Sequence, residues 1–280
     1  VSVRRPVLRW HGGKWKLAPW IIAQFPPHRT YVEPFGGAAS VLLRKRRTYA
    51  EIYNDLDGDV VNLFRVLRDP ELAPALISSL ELTPFARDEF DAAYEVSADP
   101  VEEARRLVVR SFQGFGSDAP NRDVTTGFRA NAFRNGTTPA ADWQNFPHAL
   151  RAVVDRLRGV VIENRPALDV LARNDAADTL HYVDPPYMPE TRSAKSRKGG
   201  ARYHAYRHEM TLADHQALVE RLCSLSGMVV LSGYPSVLYD DALADWTRVE
   251  TAAFADGARP RREVLWISPN AQSAKGLLVA

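Results

Sequence analysis

Asp184-Pro185-Pro186-Tyr187 holds more chemistry than any other short segment of this sequence. Two prolines fix φ and remove two N–H donors, so the turn offers only acceptors, a carboxylate and carbonyl oxygens, beside an aromatic ring. Such a turn suits an amino group on a flat ring. An exocyclic nucleobase amine is a poor nucleophile because its lone pair is delocalised into the ring. With the Asp184 carboxylate and the Pro185 carbonyl each accepting one amino hydrogen, the nitrogen can pyramidalise and aim its lone pair at an electrophile. Tyr187 would then stack on the base.

A second group of residues reads as a ligand cradle. Tyr31-Val32-Glu33-Pro34-Phe35-Gly36-Gly37 is a strand running into a glycine pair and then a helix, and Gly36 and Gly37 allow close approach of backbone to ligand. The pattern is neither G-x-G-x-x-G nor a phosphate-binding G-x-x-x-x-G-K-[ST]. The acidic Glu33 at the turn suits a cationic ligand better than a pyrophosphate. Asp55 follows at the end of the next strand, where a carboxylate can hold ribose hydroxyls. S-adenosylmethionine carries an adenosine, an ammonium and a sulfonium, and no phosphate. Upstream, Trp10-His11-Gly12-Gly13-Lys14 offers a ring, a glycine pair for main-chain contact, and an ammonium suited to a carboxylate such as the cofactor's.

The elements that must position these groups come in two stretches of alternating strand and helix patterns, which predicts an α/β sheet built in two pieces. The first predicts strands at Tyr31 to Phe35 and Tyr49 to Asn54, with helices at Gly37 to Arg47 and Gly58 to Arg68. The second predicts strands at Val160 to Asn164, Leu180 to Asp184 and Met228 to Ser232, with helices at Ala167 to Arg173 and Leu212 to Ser226. Thr211 with Asp214 forms a capping box for the last of these. Two more strands, Thr247 to Ala252 and Glu263 to Ile267, complete the sheet. Asp184 thus ends a buried strand, where ligands bind in open α/β sheets. Between the stretches, about Pro70 to Gly159, helical patterns give way to a Gly/Asn/Arg-rich segment, an inserted lobe.

The chain has 280 residues, 45% of them hydrophobic, enough for one substantial core or one core plus such a lobe. Its 36 Lys and Arg against 34 Asp and Glu leave a net charge of only +2, so attraction to nucleic acid must come from local patches. Cys223, the only cysteine, excludes an internal disulfide and a Cys-rich zinc site, and reads as a small buried apolar residue. No run approaches the roughly 20 apolar residues of a spanning helix, and Val1 to Trp10 is too broken by arginine for a signal peptide. A soluble cytoplasmic protein with no membrane partner is expected. The run Arg44 to Arg47 closes a helix, where cations are favoured, and reads as structural.

In kind and in order, Trp10 to Lys14, Glu33 to Gly37, the lobe and Asp184 to Tyr187 resemble the Dam-type DNA adenine-N6 methyltransferases. That subgroup runs amino-terminal cofactor motif, E-P-F-G-G, target-recognition lobe, D-P-P-Y. The resemblance implies an α/β fold: a Rossmann-like methyltransferase sheet with one antiparallel strand and an inserted, mostly helical target-recognition lobe. Residues 1–69 and 160–280 would form the catalytic domain and 70–159 the DNA-reading insert. S-adenosylmethionine would be the methyl donor and duplex DNA the partner, with adenine flipped out for direct transfer to N6. The catalytic turn would be Asp184, Pro185, Pro186 and Tyr187. Cofactor contacts would come from Trp10, Gly12, Gly13, Lys14, Glu33, Pro34, Phe35, Gly36, Gly37, Asp55 and Asp184. The chain departs from the family at Asn164-Arg165-Pro166-Ala167, where an acidic-aromatic pair is usual, so Pro166 and Ala167 receive no role.

Two Arg-rich segments face DNA in this reading. Arg122, Arg129, Asn131, Arg134 and Asn135 lie in the lobe, and Arg and Asn read guanine and adenine edges bidentately. Lys195, Arg197 and Lys198 follow Tyr187 and would clamp phosphates beside the flipped base. No metal is expected, and without H-x-E and P-C-x-x-C hydrolytic deamination is excluded. The rival readings are cytosine-N4 methylation, since both targets are ring amines, and a non-catalytic DNA-binding module that keeps the fold. A cognate restriction nuclease or a phage setting fits the same reading, as does a monomer or weak dimer.

Overall fold

Short runs rich in valine, isoleucine and tyrosine build the middle of a seven-stranded sheet, in the order β3-β2-β1-β4-β7-β9-β8. The structure, a computed structural model, describes residues 2–130, 136–188, 195–196, 202–203, 207–255 and 259–276. The strands are β1 (Thr30–Glu33), β2 (Ala50–Asn54), β3 (Val160–Glu163), β4 (Thr179–Val183), β5 (Lys195–Ser196), β6 (Arg202–Tyr203), β7 (Met228–Gly233), β8 (Thr247–Ala255) and β9 (Arg259–Ile267). β5 and β6 form a small antiparallel ladder of their own. β4 and β7 are buried along their whole length, as strands covered on both faces must be. β9 runs antiparallel to both its neighbours, and the remaining neighbours in the seven-stranded sheet are parallel.

The helices are α1 (Ala18–Ile22), α2 (Ser40–Arg44), α3 (Gly58–Arg68), α4 (Leu72–Leu82), α5 (Arg87–Ala92), α6 (Pro100–Gln113), α7 (Pro139–Gln144), α8 (Phe146–Leu157), α9 (Ala167–Arg173), α10 (Leu212–Ser224), α11 (Val237–Ala242) and α12 (Pro269–Gly276). α4 to α8 stand between α3 and β3 in the chain, where the sequence predicts the insert. They do not form a separate core: Leu76, Leu80, Leu107 and Leu150 join one apolar cluster with Tyr31, Leu42, Phe64 and Leu180. A second cluster, containing Leu171, Leu218, Leu231 and Trp266, fills the β7 and β9 side. Among the described residues, no helix is long and apolar enough to cross a membrane.

Three local expectations change. The helix predicted from Gly37 begins only at Ser40, because Gly37 and Ala39 take left-handed backbone, φ 46° and 52°, and turn the chain first. Cys223 is exposed on α10 rather than buried. The run Arg44 to Arg47 serves several partners beyond the helix end: Arg44 donates to the Trp15 carbonyl, Lys45 is buried against Glu51, and Arg47 donates to carbonyls of Asp155 and Arg158. The capping box at α10 is complete, with Thr211 and Asp214 each bonding the other's backbone N–H.

Candidate active site

Strand register brings the chemistry together. Val32 lies opposite His181 and Glu33 opposite Tyr53, so the chain leaving β1, β2 and β4 delivers Glu33, Asp55 and Asp184 to one edge of the sheet. Because β9 is antiparallel, with Gly233 opposite Val264, Glu263 arrives at that same edge. A cavity of about 360 Å³ opens there.

The glycine cradle is sterically required. A Cβ on Gly36 would stand 2.1 Å from the Tyr53 ring, and one on Gly37 would stand 2.6 Å from Trp10 Nε1. Gly37 N–H donates to Asp55 Oδ2 at 2.8 Å, Asp57 N–H donates to Asp55 Oδ1 at 2.8 Å, and Tyr53 donates its hydroxyl to the Gly37 carbonyl at 2.7 Å. Burial raises the Asp55 carboxyl to about 6 against the pull of the Asp57 and Gly37 amides. Glu33 is buried and accepts from the Tyr31 hydroxyl at 2.9 Å and the Leu42 amide at 3.0 Å. Burial lifts it to about 8; the Tyr31 bond opposes the rise and nearby Asp184 adds to it.

Lys14 stands at the centre of the acidic groups. Its Nζ lies 2.8 Å from Asp184 Oδ2 and 3.7 Å from Glu263 Oε1, and donates to the Gly12 carbonyl at 2.9 Å. It also sits 4.7 Å from the centre of the Tyr187 ring. Burial lifts Asp184 to about 6, Lys14 opposes this, and Glu263 adds to it. The Tyr187 hydroxyl donates to Glu263, which also accepts from Ser232 Oγ at 2.6 Å. Lys14 is thus close to a carboxylate of the protein itself, whereas the sequence assigns it a cofactor carboxylate.

The cavity is lined by Trp10, Gly12, Gly13, Lys14, Glu33, Pro34, Phe35, Gly36, Gly37, Asp55, Asp184 and Pro186, which unites every residue singled out for the cofactor. Pro185 and Tyr187 are buried beside it. Pro166, Ala167 and Leu168 form part of the wall although the sequence gives the first two no role. From the insert come Ser117, Asp118 and Asn121, with Asp118 Oδ1 3.1 Å from His11 Nδ1. Glu263 is the main omission of the sequence reading.

The lobe arginines are placed differently. Arg122 is held by Asp59 at 3.3 Å and by Glu103, so it ties the insert to α3 instead of presenting its fork to a base edge. Two carboxylates share that guanidinium, partners other than the base edge that the sequence assigns to Arg122. Arg129 donates to the Phe112 carbonyl at 3.2 Å. Asn131, Arg134, Asn135, Arg197 and Lys198 lie outside the described residues, and of Lys195 only the backbone in β5 is described.

The sequence profile of the D12 class N6 adenine-specific DNA methyltransferases matches residues 10–245. The chain is similar to a DNA adenine methylase of Salmonella typhimurium, with 25% identity over 247 residues, 84% of this chain and 82% of the relative. It is likewise similar to a DNA adenine methylase of Serratia marcescens, at 26% over 236 residues and 79% of each chain. A third such methylase, from Escherichia coli K12, is 26% identical over 202 residues, 68% of this chain and 67% of the relative.

Proposed function

Because this chain belongs to the D12 class N6 adenine-specific DNA methyltransferases and methylates DNA at adenine N6, we propose that its cavity takes S-adenosylmethionine and that Asp184 to Tyr187 present the target amine. Methyltransferases of this kind use that cofactor in general. The single observation that carries the assignment is the convergence of three segments far apart in sequence, Trp10 to Lys14, Glu33 to Gly37 with Asp55, and Asp184, on one cavity.

The cavity's chemistry suits the cofactor. Carboxyl groups outnumber Lys14 and Arg207 on the wall, and burial raises three of them, Glu33, Asp55 and Asp184. A ligand with an ammonium and a sulfonium relieves that burial cost, and a phosphate would add to it. Trp10, Phe35, Pro166 and Leu168 give the apolar walls that an adenosine needs. Glu33 and Asp55 would hold the cationic and ribose ends.

When bound, S-adenosylmethionine supplies a methyl carbon on a positively charged sulfur, which keeps the C–S electron pair as the methyl group leaves. The protein's part is orientation. Asp184 and the Pro185 carbonyl accept the amine hydrogens of a flipped adenine and point the N6 lone pair into the cavity. As the N–C bond forms, N6 sheds one proton, for which Asp184, raised to about 6, is an acceptor at hand. Tyr187 packs the base ring.

Asp184→Ala is expected to weaken cofactor binding by calorimetry, because it removes one of the cavity carboxylates, and at saturating cofactor to lose turnover on the order of 10²-fold or more, the mark of an interaction made mainly in the transition state. Sequencing of modified bases in DNA from cells expressing each form locates the target site. Near-normal turnover in the variant, or no cofactor binding by the wild type, would end this assignment.

A further inference from the structure

Glu263 stands at the middle of β9, where the Arg-rich half Arg259 to Arg262 gives way to the apolar half Val264 to Ile267, and it is 2% exposed. An uncompensated charge at such depth is strongly disfavoured. Its Oε1 is compensated by the Tyr187 hydroxyl, the Ser232 hydroxyl at 2.6 Å, and the Lys14 ammonium at 3.7 Å, the last of these on the cavity wall. Lys14 in turn lies 2.8 Å from Asp184. The acidic chain Asp184, Lys14, Glu263 therefore closes on Tyr187, so that both ends of the D-P-P-Y turn are tied to one atom of β9.

The orientation of the Tyr187 ring follows from these ties. Its hydroxyl is anchored, Lys14 approaches within 4.7 Å of its centre, and Tyr234 meets it edge to face at 4.4 Å and 65°. A tyrosine held at its hydroxyl, with a cation and a second ring against it, cannot tilt freely, and a base stacked on it inherits that plane. We infer that Glu263 is a positioning residue for methyl transfer, fixing the Tyr187 ring through its hydroxyl and the Asp184 carboxylate through Lys14. This inference rests on the proposed role of Asp184 to Tyr187 and adds a group that touches neither cofactor nor target.

The test uses the full chain and a duplex that the wild type methylates. Glu263→Gln keeps the shape but removes the charge that faces Lys14 and that gives the bond from the Tyr187 hydroxyl its charge-assisted strength, whereas Tyr187→Phe removes that same bond outright. Each is expected to lower kcat by on the order of tenfold while KM for DNA and Kd for S-adenosylmethionine stay within about twofold, and the double variant is expected to be little worse than the poorer single one. A duplex with 2-aminopurine at the target position gives a second readout: Glu263→Gln should change the fluorescence of the flipped base at saturating enzyme. If Glu263→Gln fails to fold, Tyr187→Phe still decides, since it cuts the same bond from the other side. Wild-type kcat in either variant, or losses that multiply in the double variant, would overturn the inference. Asp184→Ala run alongside separates the two claims, because turnover there would refute the proposed site itself, and inactivity there with an unaffected Glu263→Gln would refute this inference alone.

Discussion

Glu33 carries the highest pKa of the three cavity carboxyls, about 8 against about 6 for Asp55 and Asp184. The sign of its effect on stability follows. Between the ordinary value of 4.5 and about 8 the folded protein holds a proton on Glu33 that the unfolded chain has lost. The stability tied to that proton is therefore complete below about 4.5 and is lost as pH rises through about 8. Glu33→Gln lacks the titration, so its melting temperature should gain on the wild type between about pH 4.5 and about pH 8 in the absence of ligand and hold level above that. A constant difference across that range would show that Glu33 does not titrate there. At this scale the sequence was partly legible. Residue type and strand position mark Glu33, Asp55 and Asp184 directly. The partners of a buried group are not marked, because they arrive from elsewhere in the chain: Glu263 meets Tyr187 across 76 positions and Ser232 across 31. Arg122 shows the same limit, since its guanidinium is as suited to Asp59 and Glu103 as to guanine.

At the scale of elements, hydrophobic patterning located the strands and helices of the sheet well, because β4 and β7 are buried on both faces and Leu180, Tyr182 and Val183 and the run Met228 to Leu231 mark them as apolar. It located α2 less well, since the left-handed turn at Gly37 and Ala39 is a backbone event without a periodic trace. The joining of the insert to the sheet is also invisible in a linear pattern. It depends on Arg156 of α8, which donates to Glu51 of β2 at 2.6 and 2.9 Å and to the Leu42 carbonyl at 2.6 Å. Burial pushes the Glu51 carboxyl up, but the bonds from Arg156 and from Lys45 outweigh it and hold the group below its ordinary value. Arg156→Ala would leave Glu51 with Lys45 and the Thr48 amide and strip a bond from the Leu42 carbonyl. A loss near the lower end of the roughly 3–5 kcal/mol for a broken buried pair is expected by urea unfolding. Replacing Arg156, Glu51 and Lys45 together by apolar residues of similar volume should cost less, which distinguishes a stranded charge from weakened packing. Equal losses in the two variants would contradict this account.

For the whole molecule, the cavity is shared between the sheet and the chain that follows the D-P-P-Y turn. Met188 is buried directly after Tyr187, and at the far end of the segment 189–206 Arg207 lines the cavity, 3.1 Å from Asp57 and 3.4 Å from Asp59. Both ends of a segment rich in Lys and Arg are thus fixed, one directly after Tyr187 and the other on the cavity wall. We expect Lys195, Arg197 and Lys198 to neutralise phosphates there, and the insert, through Arg129, Asn131, Arg134 or Asn135, to read bases. The two kinds of interaction leave different signatures. A phosphate is the same at every step of the duplex, so replacing the three basic residues by Gln should weaken binding to all sequences alike and reduce the slope of log K against log salt by about 0.9 for each phosphate no longer neutralised. A bidentate bond to a base edge leaves unpaired groups when the wrong base is presented. At least one substitution in the insert should therefore relax preference at a single position, by about 1–3 kcal/mol, with little change in slope. Methylation of randomised duplexes across a salt series, run on both sets of variants, measures the two effects together. If the variants at 195, 197 and 198 altered site preference and none in the insert did, reading would belong to the segment after Tyr187 and clamping to the insert.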